Sequence, residues 1–363
     1  MGPHHQTDSR ARDRGNTLAF VAMSMGLMLA FGALAVDVSH GWRVKRSLTS
    51  AVDAAAMAGV QEAAIRHAES YKNGGPGSPV VGHDPCSPSG PVVEYLTANR
   101  PTATLASPSG CDAVGIWPDG TVEVSAVDSA PRLLSRIFGG DSIDVAATSK
   151  AKFGRPATIE GFWPLGLCHD AGNRSSPSVA TVADALAGNL PAANPVFRVD
   201  YIDASVVECG EAIVAGGRGW HTTVFGGVAS DFNDLLLNGE STAIALGVES
   251  GAVSPCVSDG CYQFQFVEMS GFDSDLATLK TSRQLITVPV IDHVTSSVVA
   301  HISGVLRVRL VDFNVTGDNT TRYLEFEVDP GLVKGRCCND DIRYPAGNSV
   351  IALCSVNGGD GSC

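Results

Sequence analysis

A run of 22 residues without one charge, Gly15 to Val36 (GNTLAFVAMSMGLMLAFGALAV), constrains this chain more than any other feature. It follows a head with Arg10, Arg12 and Arg14, and Asp37 ends it. About 20 apolar residues at about 1.5 Å rise each suffice to cross a bilayer core. The residues after Asp37 are therefore expected to be extracytoplasmic. Ala33-Leu34-Ala35 offers an A-x-A processing site. The apolar run exceeds a signal core of about 7–15 residues, however, and the helical pattern continues through it. Cleavage after Gly15 would call for Glu at the fifth position beyond, and Phe20 stands there. An uncleaved anchor is the expectation.

Val36 to Ser70 contains no proline and only two glycines, and Ala dominates it. Nothing breaks a helix before Asn73-Gly74-Gly75-Pro76. One continuous helix is predicted over 17–71, about 80 Å long, with a transmembrane first half and a stalk above the membrane. Val44, Leu48, Val52, Ala55 and Gly59 recur at three- and four-residue steps and make one face. Ala51/Ala55, Ala54/Ala58 and Ala55/Gly59 are small pairs four apart, which let another backbone approach closely. These five small residues are candidates for a helix–helix interface. The pattern leaves two occupants of the face open, a second helix or the chain's own ectodomain.

Arg14-Gly15, the span ending Ala35-Val36-Asp37-Val38, then Leu48, then Ala51-Val52-Asp53-Ala54-Ala55-Ala56-Met57-Ala58-Gly59 together resemble the N-terminal region of TadG-like Flp/Tad pilus-assembly proteins. Met57 stands for the family's usual Leu, and Thr49 for its usual Gln. The resemblance covers about 50 of the 363 residues. It implies a single-pass, membrane-anchored structural or assembly component of a Tad-type pilus or related secretion system. Its implied partners are membrane lipid, and other pilus components or a second copy through the helix. It implies no enzymatic activity and no cofactor.

The Lys/Arg balance does not settle orientation, because Arg43, Lys45 and Arg46 follow the span as Arg10, Arg12 and Arg14 precede it. The cysteines point outward. All ten follow the helix: Cys86, Cys111, Cys168, Cys209, Cys256, Cys261, Cys337, Cys338, Cys354 and Cys363. An even number confined to the large C-terminal region fits disulfides in an oxidising compartment. The N-terminus is therefore expected in the cytoplasm. No C-x-x-C occurs, so a zinc site is not indicated. Cys86 with Cys111, Cys168 with Cys209, and Cys256 with Cys261 are plausible local bridges. The adjacent Cys337 and Cys338 are expected to pair with Cys354 and Cys363. Of the net charge of −13, residues 1–70 contribute +1 (7 basic, 6 acidic) and the rest −14 (18 basic, 32 acidic), which argues against nucleic acid, since that needs a basic face.

The fold expected is α+β: residues 1–16 a basic head, 17–71 the anchor and stalk, 72–155 a neck and small α+β unit, and 156–363 a β-rich, disulfide-containing ectodomain. In the small unit, Pro91–Asn99 reads as a helix, Thr121–Val127 as a strand, Pro131–Phe138 as a helix and Ser142–Ala147 as a strand. Beyond it, Val305–Val315 and Arg322–Val328 flank a Gly317-Asp318-Asn319-Thr320 hairpin signal. Ile286–Ile291 reads as an edge strand, because Pro289 interrupts it. Ser230–Leu237 with Gly239 reads as a capped helix.

Catalytic signals are weak. Gly140-Asp141-Ser142 resembles the nucleophile block of GDS-type hydrolases, but no Asp-x-x-His lies near the C-terminus. G-x-S-x-G is absent. His169-Asp170 and Asp292-His293 are sequence neighbours, which rarely form a triad pair. Asp273, Asp275, Asp340 and Asp341 lie in no calcium-loop pattern. Asn173, Asn314 and Asn319 occupy N-x-S/T sequons. Three functions follow in order: pilus or secretion assembly, a surface adhesin or binding module on the same anchor, and last an exported hydrolase.

Overall fold

The computed structural model describes residues 10–74, 84–106, 110–114, 120–134, 136, 141–169, 171, 180–191, 195–201, 207–208, 211–212, 220–222, 232–239, 244–246, 261–263, 265–267, 271–296, 299–338 and 348–354. Helix α1 (Arg10–Gly74) precedes α2 (Pro91–Asn99), β1 (Thr104–Leu105), β2 (Cys111–Val114), β3 (Gly120–Pro131) and β4 (Ser142–Gly154). Then come β5 (Pro156–Ile159), β6 (Leu167–Cys168), α3 (Val182–Ala187), β7 (Val196–Asp200), β8 (Val207–Glu208), β9 (Glu211–Ala212), β10 (Trp220–Thr222), α4 (Phe232–Asn238) and β11 (Ile244–Ala245). The rest comprises β12 (Cys261–Gln263), β13 (Gln265–Val267), α5 (Asp273–Ser282), β14 (Leu285–Ser296), β15 (Val299–Asn314), β16 (Tyr323–Val328), β17 (Gly335–Cys337) and β18 (Val350–Leu353).

The first layer is a sheet in the order β1-β3-β4-β18, with β2 also on β3. β3 and β4 form one antiparallel ladder from Gly120↔Phe153 to Pro131↔Ser142. The inward positions Val122, Val124, Ala126, Ala147, Ala151 and Phe153 pack against Leu48, Ala51, Val52, Ala55, Ala56, Val60 and Ala64 of α1. Val92 and Leu96 of α2 close the same core. β18 returns from the C-terminal region to pair with β4, so the chain crosses the expected division at residue 155.

Two expectations for this unit change. The strand expected to stop at Val127 runs on to Pro131, because the inward-facing Asp128 is satisfied there. Its carboxylate accepts from Arg100 Nε at 2.5 Å, Thr102 Oγ1 at 3.1 Å and the Ser129 N–H. The helix expected over Pro131–Phe138 is absent from its described part: Pro131 ends β3, and Arg132 N–H donates to Asp141 O to extend the ladder. The pattern of apolar residues after proline imitates a helix start, but the Arg132 N–H goes to strand pairing and those of Leu133 and Leu134 to the Asp37 carboxylate.

The second layer is a larger sheet in the order β6-β14-β15-β16-β7, with β12 also on β15. The β15–β16 pair turns through Gly317, which has φ +87°. Leu324, Phe326 and Val328 are buried while Tyr323, Glu325 and Glu327 lie half-exposed, the alternation expected of them. Helices α3, α4 and α5 cover the sheet with Val182, Ala185, Leu236, Leu276 and Leu279. Trp163 stands edge-on to Phe326 and donates its indole N–H to Leu236 O. The predicted capped helix is α4, and Gly239 at φ +76° returns its N–H to Leu235 O. Pro289 is not at the sheet edge. A strap bonds β14 on either side of it, from Trp163 N–H to Thr287 O and from His169 N–H to Ile291 O, so the missing proline donor is not required.

Candidate functional site: one helix in two environments

From Leu18 to Val38 the large apolar side chains of α1, among them Phe20, Met23, Leu27, Met28 and Phe31, are exposed around the helix. Cβ atoms added at Gly26 or Gly32 would meet nothing within 4 Å. A helix that is apolar on every side requires a non-aqueous surrounding. α1 contains the one helix among the described residues that is long and apolar enough to cross a membrane.

Above this stretch the helix enters its own protein. Val44, Leu48, Ala51, Val52, Ala55, Ala56, Val60, Ala64, His67, Ala68 and Tyr71 are buried in turn. Of the candidate interface residues, Ala51, Ala55, Ala58 and Gly59 are buried, and Ala54 is half-buried at the margin. Gly59 lies so close to the ectodomain that a Cβ would stand 2.8 Å from Val92 Cγ2 and 3.1 Å from Val122 Cγ1. Small residues are there because α2 and β3 approach the helix backbone. In the structure this face packs against α2, β3 and β4 of the chain's own ectodomain.

Polar residues of α1 meet the ectodomain at four heights. At the bottom, Asp37 Oδ1 accepts the N–H groups of Leu133 at 2.8 Å and Leu134 at 3.1 Å. Next, Lys45 Nζ donates to Ala146 O. Higher up, His67 is buried beside Phe153, and burial pushes its pKa down to about 4. At the top, Tyr71 Oη lies 2.6 Å from Ala185 O, reaching into the second layer, and burial raises the phenol's pKa. Burial also acts on Asp128, but the hydrogen bonds from Arg100, Ser129 and Thr102 prevail and hold its carboxyl below the usual range. Sequence reading missed His67, Tyr71 and the Asp37 contacts. The helical step from Ala64 to His67/Ala68 and Tyr71 continues the buried face and could have shown the first two.

Cys86 and Cys111 are bridged, with Cα atoms 5.6 Å apart, and tie the turn before α2 to β2. Cys168 and Cys354 are also in disulfides. Cys337 and Cys338 lie side by side at the end of β17, Cα atoms 3.1 Å apart. The neck over 75–83, Cys209, Cys256, Cys363, Asp170, Asp340, Asp341 and Asn173 lie outside the described residues.

The described residues of the hydrolase-like block lie on the surface. Asp141 is exposed and paired with Arg136 at 2.8 Å, and Ser142 is the exposed first residue of β4. Asp273 and Asp275 occupy the first turn of α5. Asn314 Nδ2 donates to Thr321 O within the β15–β16 turn. Among the described residues no group of His, Cys, Asp and Glu is arranged to hold a metal ion.

Residues 15–62 match the Tad family of TadE/G-like Flp pilus-assembly proteins. The matched residues lie within α1. They begin in the exposed apolar stretch and end within the buried face, so the match spans both environments. No curated protein and no solved structure matches the chain.

Proposed function

We propose that this chain is a non-enzymatic structural or assembly component of a Tad-type pilus or related secretion system. Its Tad segment anchors it once in the membrane, the N-terminus faces the cytoplasm, and the two sheet layers stand outside. The observation that carries this reading is the Tad segment running from an all-round apolar, exposed half into a half buried by the ectodomain. Because Ala51, Ala55 and Gly59 are already covered, other pilus components are assigned to the exposed helix surface and to the outer faces of the sheets. The disulfide at Cys86–Cys111 supports the outward placement. The test is protease treatment of intact spheroplasts, followed by cross-linking of the membrane fraction. Digestion of the ectodomain from outside and cross-links to pilus components are expected. A protected ectodomain would overturn the orientation, and an absence of pilus components among the cross-links would overturn the assembly role.

A further inference from the structure

We infer that the Leu133–Leu134 pair, just past the end of β3, is a second membrane contact, a foot that rests in the headgroup layer of the bilayer crossed by α1. The inference depends on the anchoring reading above. It begins with the position of Asp37, the first charged residue after the span. That residue is only 2% exposed, and its Oδ1 holds the backbone N–H groups of Leu133 and Leu134. Leu133 and Leu134 are thereby fixed at the level where the apolar run ends, about 1.5 Å of helix rise beyond Val36.

Their side chains are the wrong kind for water. Leu133 is 54% exposed and Leu134 50% exposed. They follow a strand whose outward positions include Glu123 and Ser129. Arg132 and Arg136 flank the pair, and Arg136 is exposed with its partner Asp141. Apolar side chains flanked by arginine, at the end of a transmembrane helix, suit the boundary between acyl chains and anionic headgroups. Trp42, exposed on the helix just above, is the residue type that collects in that layer. The bond through Asp37 uses backbone N–H groups, which leaves both leucine side chains free to face lipid. Helix and hairpin would then meet the membrane at two points and fix the tilt of the ectodomain, which a single helix does not.

The experiment uses the full chain in nanodiscs of phosphatidylethanolamine and phosphatidylglycerol. A photo-crosslinking phenylalanine analogue replaces Leu134, Leu27 or Val127 in turn. Val127 is apolar and exposed within β3. Lipid adducts, read by mass spectrometry, are expected from Leu134 and Leu27, each about tenfold above Val127. Adducts from Leu27 but not Leu134 would overturn the foot and leave the anchor standing. Adducts from neither would overturn the anchoring reading and the foot together. A protein adduct in place of lipid at Leu134 would overturn the foot in favour of a docked partner. A Leu133→Ser/Leu134→Ser chain checks the same point without a probe. Its ectodomain melt should be unchanged, because the Asp37 bonds are to backbone, while cross-linking from Trp42-adjacent positions to headgroups should fall severalfold. Unchanged headgroup cross-linking would count against the foot.

Discussion

The lower and upper halves of α1 belong to one helix, yet only the upper half is covered by the chain's own ectodomain. Between Leu18 and Val38 the side chains are large and uncovered. Between Val44 and Tyr71 the buried face is one stripe of mainly Ala, Gly and Val, and a hairpin lies along it. Lipid, the surrounding proposed for the lower half, is a fluid that accepts any apolar shape and asks for bulk without pattern. A sheet is a close-packed solid, so the upper half needs one stripe of matched, small side chains. Apolarity by itself therefore does not distinguish an anchor from a core; the angular width of the apolar surface does.

The largest expected effect that sharpens this contrast comes from paired truncations. Leu48 is fully buried, so Leu48→Ala should cost the ectodomain about 2–5 kcal/mol in denaturant melts of the full chain. Leu27→Ala, in the exposed half, should change the same melt by no more than about 0.5 kcal/mol. Equal losses at both sites would mean that the two halves are not different environments.

Removing the bridge between Cys86 and Cys111, which closes a separation of 25 residues, should cost about 3 kcal/mol. A Cys86→Ser/Cys111→Ser chain measured beside the parent, both without reductant, reads this directly. No difference between them would show that α2 is held by Arg100–Asp128 and the helix alone.

His67 makes the upper half sensitive to acid. Above pH 6.5 the imidazole is neutral in the folded and the unfolded chain, and it adds no pH dependence. As pH falls below 6.5, the unfolded chain takes up a proton that the folded chain refuses until about pH 4. Stability should therefore drop across that window, by at most about 3 kcal/mol. Melts of the parent and His67→Gln at several pH values isolate the effect as the difference in their slopes. Parallel slopes would show that the ring titrates freely in the folded chain.

Ala55→Leu should destabilise the ectodomain by about 1–3 kcal/mol, because a larger side chain has to enter the packed contact with the hairpin. Helix propensity does not confuse the reading, since Leu is close to Ala. An unchanged melt combined with lost pilus partners would return this face to a second helix.

Much of the fold was legible in the sequence wherever a local rule decided it. α2 falls on Pro91–Asn99 as read, and the β15–β16 hairpin turns at Gly317 between the expected strands. Asp128 and Pro289 misled for the same reason. Each breaks a rule that applies to an isolated strand, and each is excused by a partner distant in sequence: Arg100 in one case, the strap through Trp163 and His169 in the other. Pro131–Leu134 misled because an apolar run after proline looks alike whether it starts a helix or ends a strand.

The uninterrupted helix, the charge-free span, the small-residue stripe and the Tad segment follow from the sequence by itself, because each depends on neighbours within about one or two helical turns. Only the tertiary structure decided what covers the stripe, where Leu133 and Leu134 stand and which residues Asp37 holds. Those contacts join residues such as Asp37 and Leu133, or Gly59 and Val122, which no local periodicity connects. A small side chain permits close approach to any backbone; which backbone arrives depends on how the rest of the chain buries its own apolar surface.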